Sequence, residues 1–419
     1  MLTKHSRRTF LAASAGALAA PTFIRARNAN EKLNVAVVGV ANRGAANLAG
    51  VAHENIVALC DVDPDNAKKA REQFAKAPYF TDYRKLFEDK VAKTFDAVVV
   101  STPDHNHAYP ACVAMSLGKH VYCEKPMAET VNEVRAMRAL AAKHKVVTQM
   151  GTQIHAGENY RRVVEIVQSG ALGRVTKVHV WNSSRPVGGK RLAKKPSARF
   201  DLDVWMGPTS GEFFEAEVNK SNWNFAWPHF HWRWWWEFGG GTLADLGCHY
   251  IDLPYWALGL TSPSTAASTG KKTYTGDNTT PDVQTATWTF RDIPVHGTIE
   301  LVWEHGAAGP SAGAEVYKGY GAGILFEGTK GKLVADYSKY LLLPEAFARD
   351  FKAPEKSIKS SIGHHKEWTE ACKGSGATLC NFEYAGRLAE CVLLGNVAYR
   401  AGTEVRWDAS AGTTGTRGG

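Results

Sequence analysis

Two short stretches bring together residue types that can move protons. In Trp232-Arg233-Trp234-Trp235-Trp236, four indole rings flank a guanidinium, a concentration of flat apolar surface suited to stacking. Gly239-Gly240-Gly241 follows and lets the backbone bend. Asp245 and His249 then stand four apart, on one face of any helix that carries them. An unperturbed imidazole titrates near ~6.5, so His249 can take or give a proton while Asp245 orients it or a substrate. Earlier, Tyr122-Cys123-Glu124-Lys125-Pro126 sets a lysine between an apolar run and a proline. A lysine held there can hydrogen-bond a hydroxyl that loses its proton as hydride leaves the carbon.

The elements that must position these groups can be read in order. Leu33–Gly39 is a short apolar run ending in glycine, as a buried parallel strand requires. The loop Gly39-Val40-Ala41-Asn42-Arg43-Gly44 opens a helix, so Gly39, Ala41, Asn42, Arg43 and Gly44 form a degenerate dinucleotide loop with alanine at the middle glycine. The next strand ends at Asp61, where an acid would bond both ribose hydroxyls and repel a 2′-phosphate, favouring NAD over NADP. Further strands are expected near Tyr79 and over Ala97–Ser101, His120–Cys123 and Val146–Met150, with helices between them, including Tyr83–Asp89. This alternation predicts a doubly wound α/β Rossmann domain over residues 31–150. Ser101, Thr102, Pro103, His105 and His107 lie in the loop after the Ala97 strand, where such sheets bind ligands. The histidines there lack the carboxylate or cysteine cluster of a metal centre, and no metal is expected.

From residue 151 the pattern changes to long strand-like runs, such as Val175–Ser184 and Val283–Arg291, with helices Leu243–Leu258 and Tyr384–Arg400. A second α+β domain with a large, open, mostly antiparallel sheet is expected over 151–408, and a flexible Gly/Thr/Ser-rich tail over 409–419. Residues 185–230 form a long loop that sets specificity or reaches a neighbouring subunit. At the other end, Ser6-Arg7-Arg8-Thr9-Phe10-Leu11 and the small apolar run after it match a twin-arginine export signal over 1–30, too short for a permanent membrane anchor. The formal charge is +9, but residues 1–29 hold five bases and no acid, which leaves 45 basic against 41 acidic residues. That balance gives no reason to expect a nucleic-acid partner. Seven cysteines without metal spacing read as buried free thiols, in keeping with folding in a reducing compartment before export to the periplasm.

Taken together, Val37–Gly44, Cys60-Asp61-Val62-Asp63-Pro64, Ser101–His107, Glu124-Lys125-Pro126 and Gly239–Asp252 resemble the Gfo/Idh/MocA family of sugar-linked NAD(P) enzymes, from about residue 31 to 405. The resemblance implies a homo-oligomer (dimer or tetramer), a carbohydrate substrate, and a reacting carbon surrounded by Lys125, Asp245 and His249. It also sets Glu124 and Gln153 beside the cofactor, and Trp232 and Arg233 against the sugar or the cofactor's far edge. A periplasm offers no NAD pool to recycle, so export implies a cofactor loaded in the cytoplasm and held tightly. A sugar oxidoreductase is the first reading. A glycosidase working by oxidation, elimination, hydration and reduction is the second, because the chain shares Asn42-Arg43-Gly44 with that branch. A non-catalytic exported binder of NAD and sugar is the third.

Overall fold

The computed structural model describes residues 31–184, 189–192, 197–209, 215–218, 228–306 and 319–416. The signal expected over 1–30 lies outside them, as does much of 185–230. Six parallel strands form the first sheet: β1 (Asn34–Val38), β2 (Asn55–Cys60), β3 (Tyr79–Phe80), β4 (Ala97–Val100), β5 (His120–Cys123) and β6 (Thr148–Met150). Their spatial order, β3-β2-β1-β4-β5-β6, reverses at β1/β4, the point at which doubly wound sheets open a ligand crevice. β1 and β4 carry no exposed residue, as strands covered by helices on both faces must. The helix expected over Tyr83–Asp89 is instead a 3-10 turn, Tyr83–Phe87, capped by the Asp82 carboxylate.

The second sheet has nine strands: β7 (Val175–Asn182), β10 (Thr265–Lys271), β11 (Val283–Ile293), β12 (Gly297–His305), β13 (Ala322–Gly328), β14 (Lys332–Ala335), β15 (Tyr340–Leu343), β16 (Val405–Asp408) and β17 (Thr413–Thr416). Its order is β15-β14-β13-β7-β12-β11-β10-β16-β17, with β7 and β12 parallel and every other pair antiparallel. Two short strands between them, β8 (Gly189–Leu192) and β9 (Glu215–Val218), make a separate antiparallel ribbon inside the expected 185–230 loop. The tail expected to be flexible is therefore structured as far as Thr416. Backbone pairing with β16 orders it although its sequence lacks apolar alternation.

Six helices matter for the site: α1 (Arg43–Val51), α2 (Val131–His144), α3 (Glu158–Gln168), α4 (Gly241–Tyr250), α5 (His364–Cys372) and α6 (Phe382–Ala401). α6 is the spine of the molecule. Asn381 caps its start by accepting from the Glu383 and Tyr384 amides, and Gly402 ends it in the left-handed region. Its buried side chains join one apolar core that runs through both sheets. α6 packs on α2 of the first domain and on β10 of the second. The helix expected over Leu243–Leu258 is broken at Ile251, and a short helix, Asp252–Ala257, follows α4. Pro254 has no N–H to donate to the Tyr250 carbonyl, so the first helix cannot run on.

Candidate active site

The cleft lies at the carboxyl ends of β1, β2, β4 and β5, where α4 and the Trp232 turn close over the first sheet, and encloses about 590 Å³. That is an ordinary size for a small-molecule site. Its floor depends on Gly39, which has φ +80°, and a Cβ there would stand 2.6 Å from the Ser101 carbonyl oxygen. Asn42 also has positive φ (51°), a conformation non-glycine residues hold only where the surrounding structure enforces it. At the β2 end, Asp61 accepts the Val40 amide at 3.0 Å and the Asp63 amide at 3.1 Å. Burial pushes its carboxyl up and the two amide bonds oppose that shift. Each oxygen retains acceptor capacity, and no Lys or Arg lines this end among the described residues. The donor set therefore fits a dinucleotide whose ribose carries two free hydroxyls.

The opposite end holds the charges. The Lys125 ammonium donates to the Asp245 Oδ1 and main-chain oxygen, each at 2.5 Å. Arg233 Nε donates to the same Oδ1 at 3.0 Å, and its guanidinium lies 4.3 Å from the Trp232 ring centre and 4.5 Å from that of Phe230. Burial alone would push the Asp245 carboxyl up, but Lys125 and Arg233 reverse this and hold it well below the usual carboxylate range. His249 faces the same cleft. Burial, and then the Lys125 charge, push its imidazole down to about 3, and its buried Nδ1 has no hydrogen-bond partner among the described residues. Asp245 is thus bound to Lys125 and Arg233, and its role as an orienter of His249 is not what the structure places there.

Glu124 lines the cleft and is a hub of hydrogen bonds. Its Oε1 accepts from Arg43 Nε (3.0 Å), Asn47 Nδ2 (2.9 Å) and Gln153 Nε2 (2.9 Å). Burial would raise its carboxyl, but Arg43, Lys125 and Asn47 overcome that and hold it at about 2. Gln153 also donates to the Tyr122 hydroxyl at 2.7 Å, so its amide serves this network and does not line the cleft.

Of the other expected residues, Ala41, Asn42, Arg43, Ser101, Thr102, Pro103, His107, Trp232 and Arg233 line the cleft with Gly39 and Asp61, while Gly44 packs beneath Gly39. His105 stands apart from them. It is fully buried, its ring nitrogens engage the Trp205 and Phe238 carbonyls at 2.7 and 3.2 Å, and Trp205 and Phe238 flank its ring. His107 has its ring nitrogens 2.8 Å from the Pro126 carbonyl oxygen and 2.7 Å from that of Thr102, and the neutral ring that burial favours donates to only one of them. Within the tryptophan run, Trp232 reaches the cleft while packing in the same buried cluster as Trp235, Trp205 and Phe238.

Two residues escaped the sequence reading, Asp104 and Asn47. Asp104 lines the cleft and is almost fully buried, which pushes its carboxyl up to about 8 despite Lys125 and Arg233 nearby. Its place inside the Ser101–His107 loop was the available signal. Asn47, one helical turn after Arg43, was marked only by that spacing. His229, whose sequence context allowed a surface residue or a substrate contact, bonds Asp63 at 3.1 Å beside the Asp61 end. Among the described residues one buried cluster, His155, Asp252 and Cys380, brings three metal-ligating atoms within 4.8 Å of one another. There His155 Nδ1 already bonds Asp252 at 3.0 Å, and the Tyr384 hydroxyl donates to the same carboxylate at 2.7 Å.

Residues 33–152 match the family model described as "Oxidoreductase family, NAD-binding Rossmann fold", and residues 209–334 match the "GFO/IDH/MocA C-terminal domain". The two matches cover more than half of the chain. The chain belongs to the Gfo/Idh/MocA family. Its first domain is that family's NAD-binding Rossmann domain, and NAD is the cofactor that the Asp61 end fits. The chain is 30% identical over 168 residues to an inositol 2-dehydrogenase of Gluconacetobacter diazotrophicus, covering 39% of this chain and 49% of that protein. It is 25% identical over 212 residues to a levoglucosan dehydrogenase of Pseudarthrobacter phenanthrenivorans, covering 48% and 42%. These matches span about half the length of the curated relatives. In fold it is similar to the WlbA dehydrogenase of Bordetella pertussis, solved with NADH and UDP-GlcNAcA, at TM-score 0.62, 16% identity, and 90% and 99% coverage. It is also similar to scyllo-inositol dehydrogenase of Lactobacillus casei, solved with NAD(H) and scyllo-inositol, at TM-score 0.58, 17% identity, and 90% and 99% coverage.

Proposed function

We propose that this protein is an NAD-dependent oxidoreductase that oxidises a secondary alcohol of a sugar or sugar derivative and keeps its cofactor tightly bound. The observation that carries the reading is the Lys125–Asp245–Arg233 cluster, which shares one cleft with Asp61 and His249. NAD, when bound, supplies the hydride acceptor. The remaining work belongs to the protein. The Lys125 ammonium, fixed by Asp245, polarises the substrate oxygen and stabilises negative charge as its proton leaves. His249 is neutral at physiological pH and offers an unpartnered nitrogen to that proton. A ring pushed down to about 3 beside an ammonium does not keep the proton for long. Asp104, on the same wall and raised to about 8, already carries a proton at physiological pH and serves as a hydrogen-bond donor, so the released proton passes from His249 to solvent. Arg233, stacked against Trp232, keeps Asp245 ionised.

Export by the twin-arginine route, periplasmic action and a dimeric or tetrameric state belong to the same proposal. Export is supported by Arg7-Arg8 and by free cysteines, five of the seven buried, that suit folding before transport. The glycosidase scheme begins with the same hydride step, and Asn42-Arg43-Gly44 favours keeping it as the second reading. Incubating the purified protein with NAD and a panel of free sugars and aryl glycosides, with products read by mass spectrometry, separates the two. A ketone or lactone is the expected product. Aglycone release without net oxidation would establish the glycosidase, and binding of NAD with no product from any substrate would leave a non-catalytic binder.

A further inference from the structure

The helix that follows the glycine loop is braced by a segment from the far end of the chain. α5 lies along α1 and the turn after it through three polar contacts. His365 Nε2 meets Asn47 Oδ1 at 3.0 Å, His53 Nε2 meets Thr369 Oγ1 at 3.0 Å, and Lys373 Nζ meets Glu54 Oε1 at 2.9 Å. The His365 ring also stacks on Tyr122, with centres 4.9 Å apart and planes 18° from parallel. Gly50 makes room for it, since a Cβ there would stand 2.6 Å from the imidazole. A ring held between a tyrosine face and a glycine has little freedom to turn.

Of these three contacts, the first alone connects to the cofactor loop. Glu124 is an ionised carboxylate and can only accept hydrogen bonds. Asn47 must therefore turn its amide NH₂ toward Glu124 at 2.9 Å and toward Ser101 Oγ at 2.8 Å. Its carbonyl oxygen then faces α5 and Arg43, whose Nη2 donates to it at 3.3 Å. Burial pushes the His365 imidazole down to about 4, so the ring is neutral and must present Nε2–H to that oxygen. The polarity of the chain Glu124–Asn47–His365 has one consistent solution. Arg43 and Ser101 both line the cofactor cleft, and both take their orientation from Asn47.

We propose that His365 is a positioning residue for the NAD site: through Asn47 it fixes the Arg43 and Ser101 side chains on the cofactor wall, so the seating of α5 on α1 sets cofactor affinity. The inference rests on the NAD-binding domain and not on the reaction proposed above, and a binding measurement tests it independently of turnover.

The test compares two substitutions in one interface. His365→Phe keeps a ring against Tyr122 but removes the donor to Asn47. Thr369→Val breaks the His53 contact of the same helix without touching Asn47. NAD dissociation constants are measured by calorimetric titration, with thermal unfolding of the cofactor-free protein measured alongside. His365→Phe is expected to weaken NAD about 10-fold, the cost of one lost buried hydrogen bond. Thr369→Val is expected to change affinity less than about 2-fold at a comparable loss of stability. His365→Gln, which keeps a donor, should recover most of the affinity. Wild-type affinity in His365→Phe, or affinity losses in both variants that merely track their unfolding temperatures, would overturn the proposal. Should His365→Phe not fold, His365→Leu against His365→Gln gives the same contrast, and equal NAD affinity in that pair overturns it as well.

Discussion

The two ends of the cleft are built on opposite principles. At the cofactor end most polar groups are anchored to the protein, although Asp61 keeps acceptor capacity and the Thr102 hydroxyl has no partner among the described residues. Asp61 takes two backbone amides, and Glu124 gathers Arg43, Asn47 and Gln153 on one oxygen. At the catalytic end several groups are left poised. His249 holds an unpartnered nitrogen, Asp104 is buried with its proton, and Lys125, Arg233 and Asp245 concentrate charge where α4 meets the first sheet. A network anchored at several points resists movement, whereas groups such as the His249 nitrogen keep the capacity to interact with something that arrives. The contrast assigns binding to one end and chemistry to the other.

Substitutions can break that contrast or sharpen it. The largest effect is expected from Lys125→Met, which should cut turnover by about 10³-fold or more while moving the NAD dissociation constant less than about 3-fold. Steady-state kinetics and calorimetry check the two halves separately. Asp245→Asn should follow. It leaves two buried cations without their shared counter-charge, costing roughly 3 kcal/mol of stability in denaturant unfolding and about 10²-fold in turnover. Glu124→Gln acts at the other end and should weaken NAD about 10-fold. It also removes an acid-sensitive contribution. The folded pKa, about 2, lies below the ordinary glutamate value of 4.5, so Glu124 stabilises the wild type above that value and the benefit fades as pH falls toward 2. The variant's acid unfolding limb should be correspondingly flatter. The smallest effect is Asp104→Asn. A carboxyl raised to about 8 stabilises the fold fully only below its unfolded pKa, and the contribution is lost as pH rises through 8. Asp104→Asn should therefore unfold a few degrees higher than wild type at about pH 9 and near wild type at about pH 4, as read by thermal scans. An Asp104→Asn gain that is equal at both pH values would contradict the buried proton.

How much of this could be read from the sequence follows the same division. Gly39, Asp61 and Lys125 are legible because each ends a strand, and a local pattern suffices to set it at the crevice. The partners of Glu124 are not legible, since residues 43, 47 and 153 meet it only once β1, β5 and β6 are aligned. His105 carries the sequence context of a ligand, yet Trp205 and Phe238, distant in the chain, bury it. The Asp245–His249 spacing correctly sets both on α4, but spacing could not reveal that Lys125 and Arg233 claim the carboxylate. β17 was invisible because an edge strand held by backbone pairing needs no apolar period, whereas the alternation of β16, with Val405 and Trp407 buried, spans only four residues. The break at Ile251 was readable from Pro254, which a helical period alone overlooks.

The central claim is that Lys125, held by Asp245, promotes hydride removal from a secondary alcohol onto NAD. The most direct test mixes NAD-saturated wild type and Lys125→Met with a polyol and sugar panel and follows the near-ultraviolet absorbance of reduced nicotinamide within one turnover. The account predicts that the signal rises in wild type with at least one alcohol and is lost in Lys125→Met at equal NAD occupancy. Reduction of NAD by Lys125→Met at the wild-type rate would contradict it.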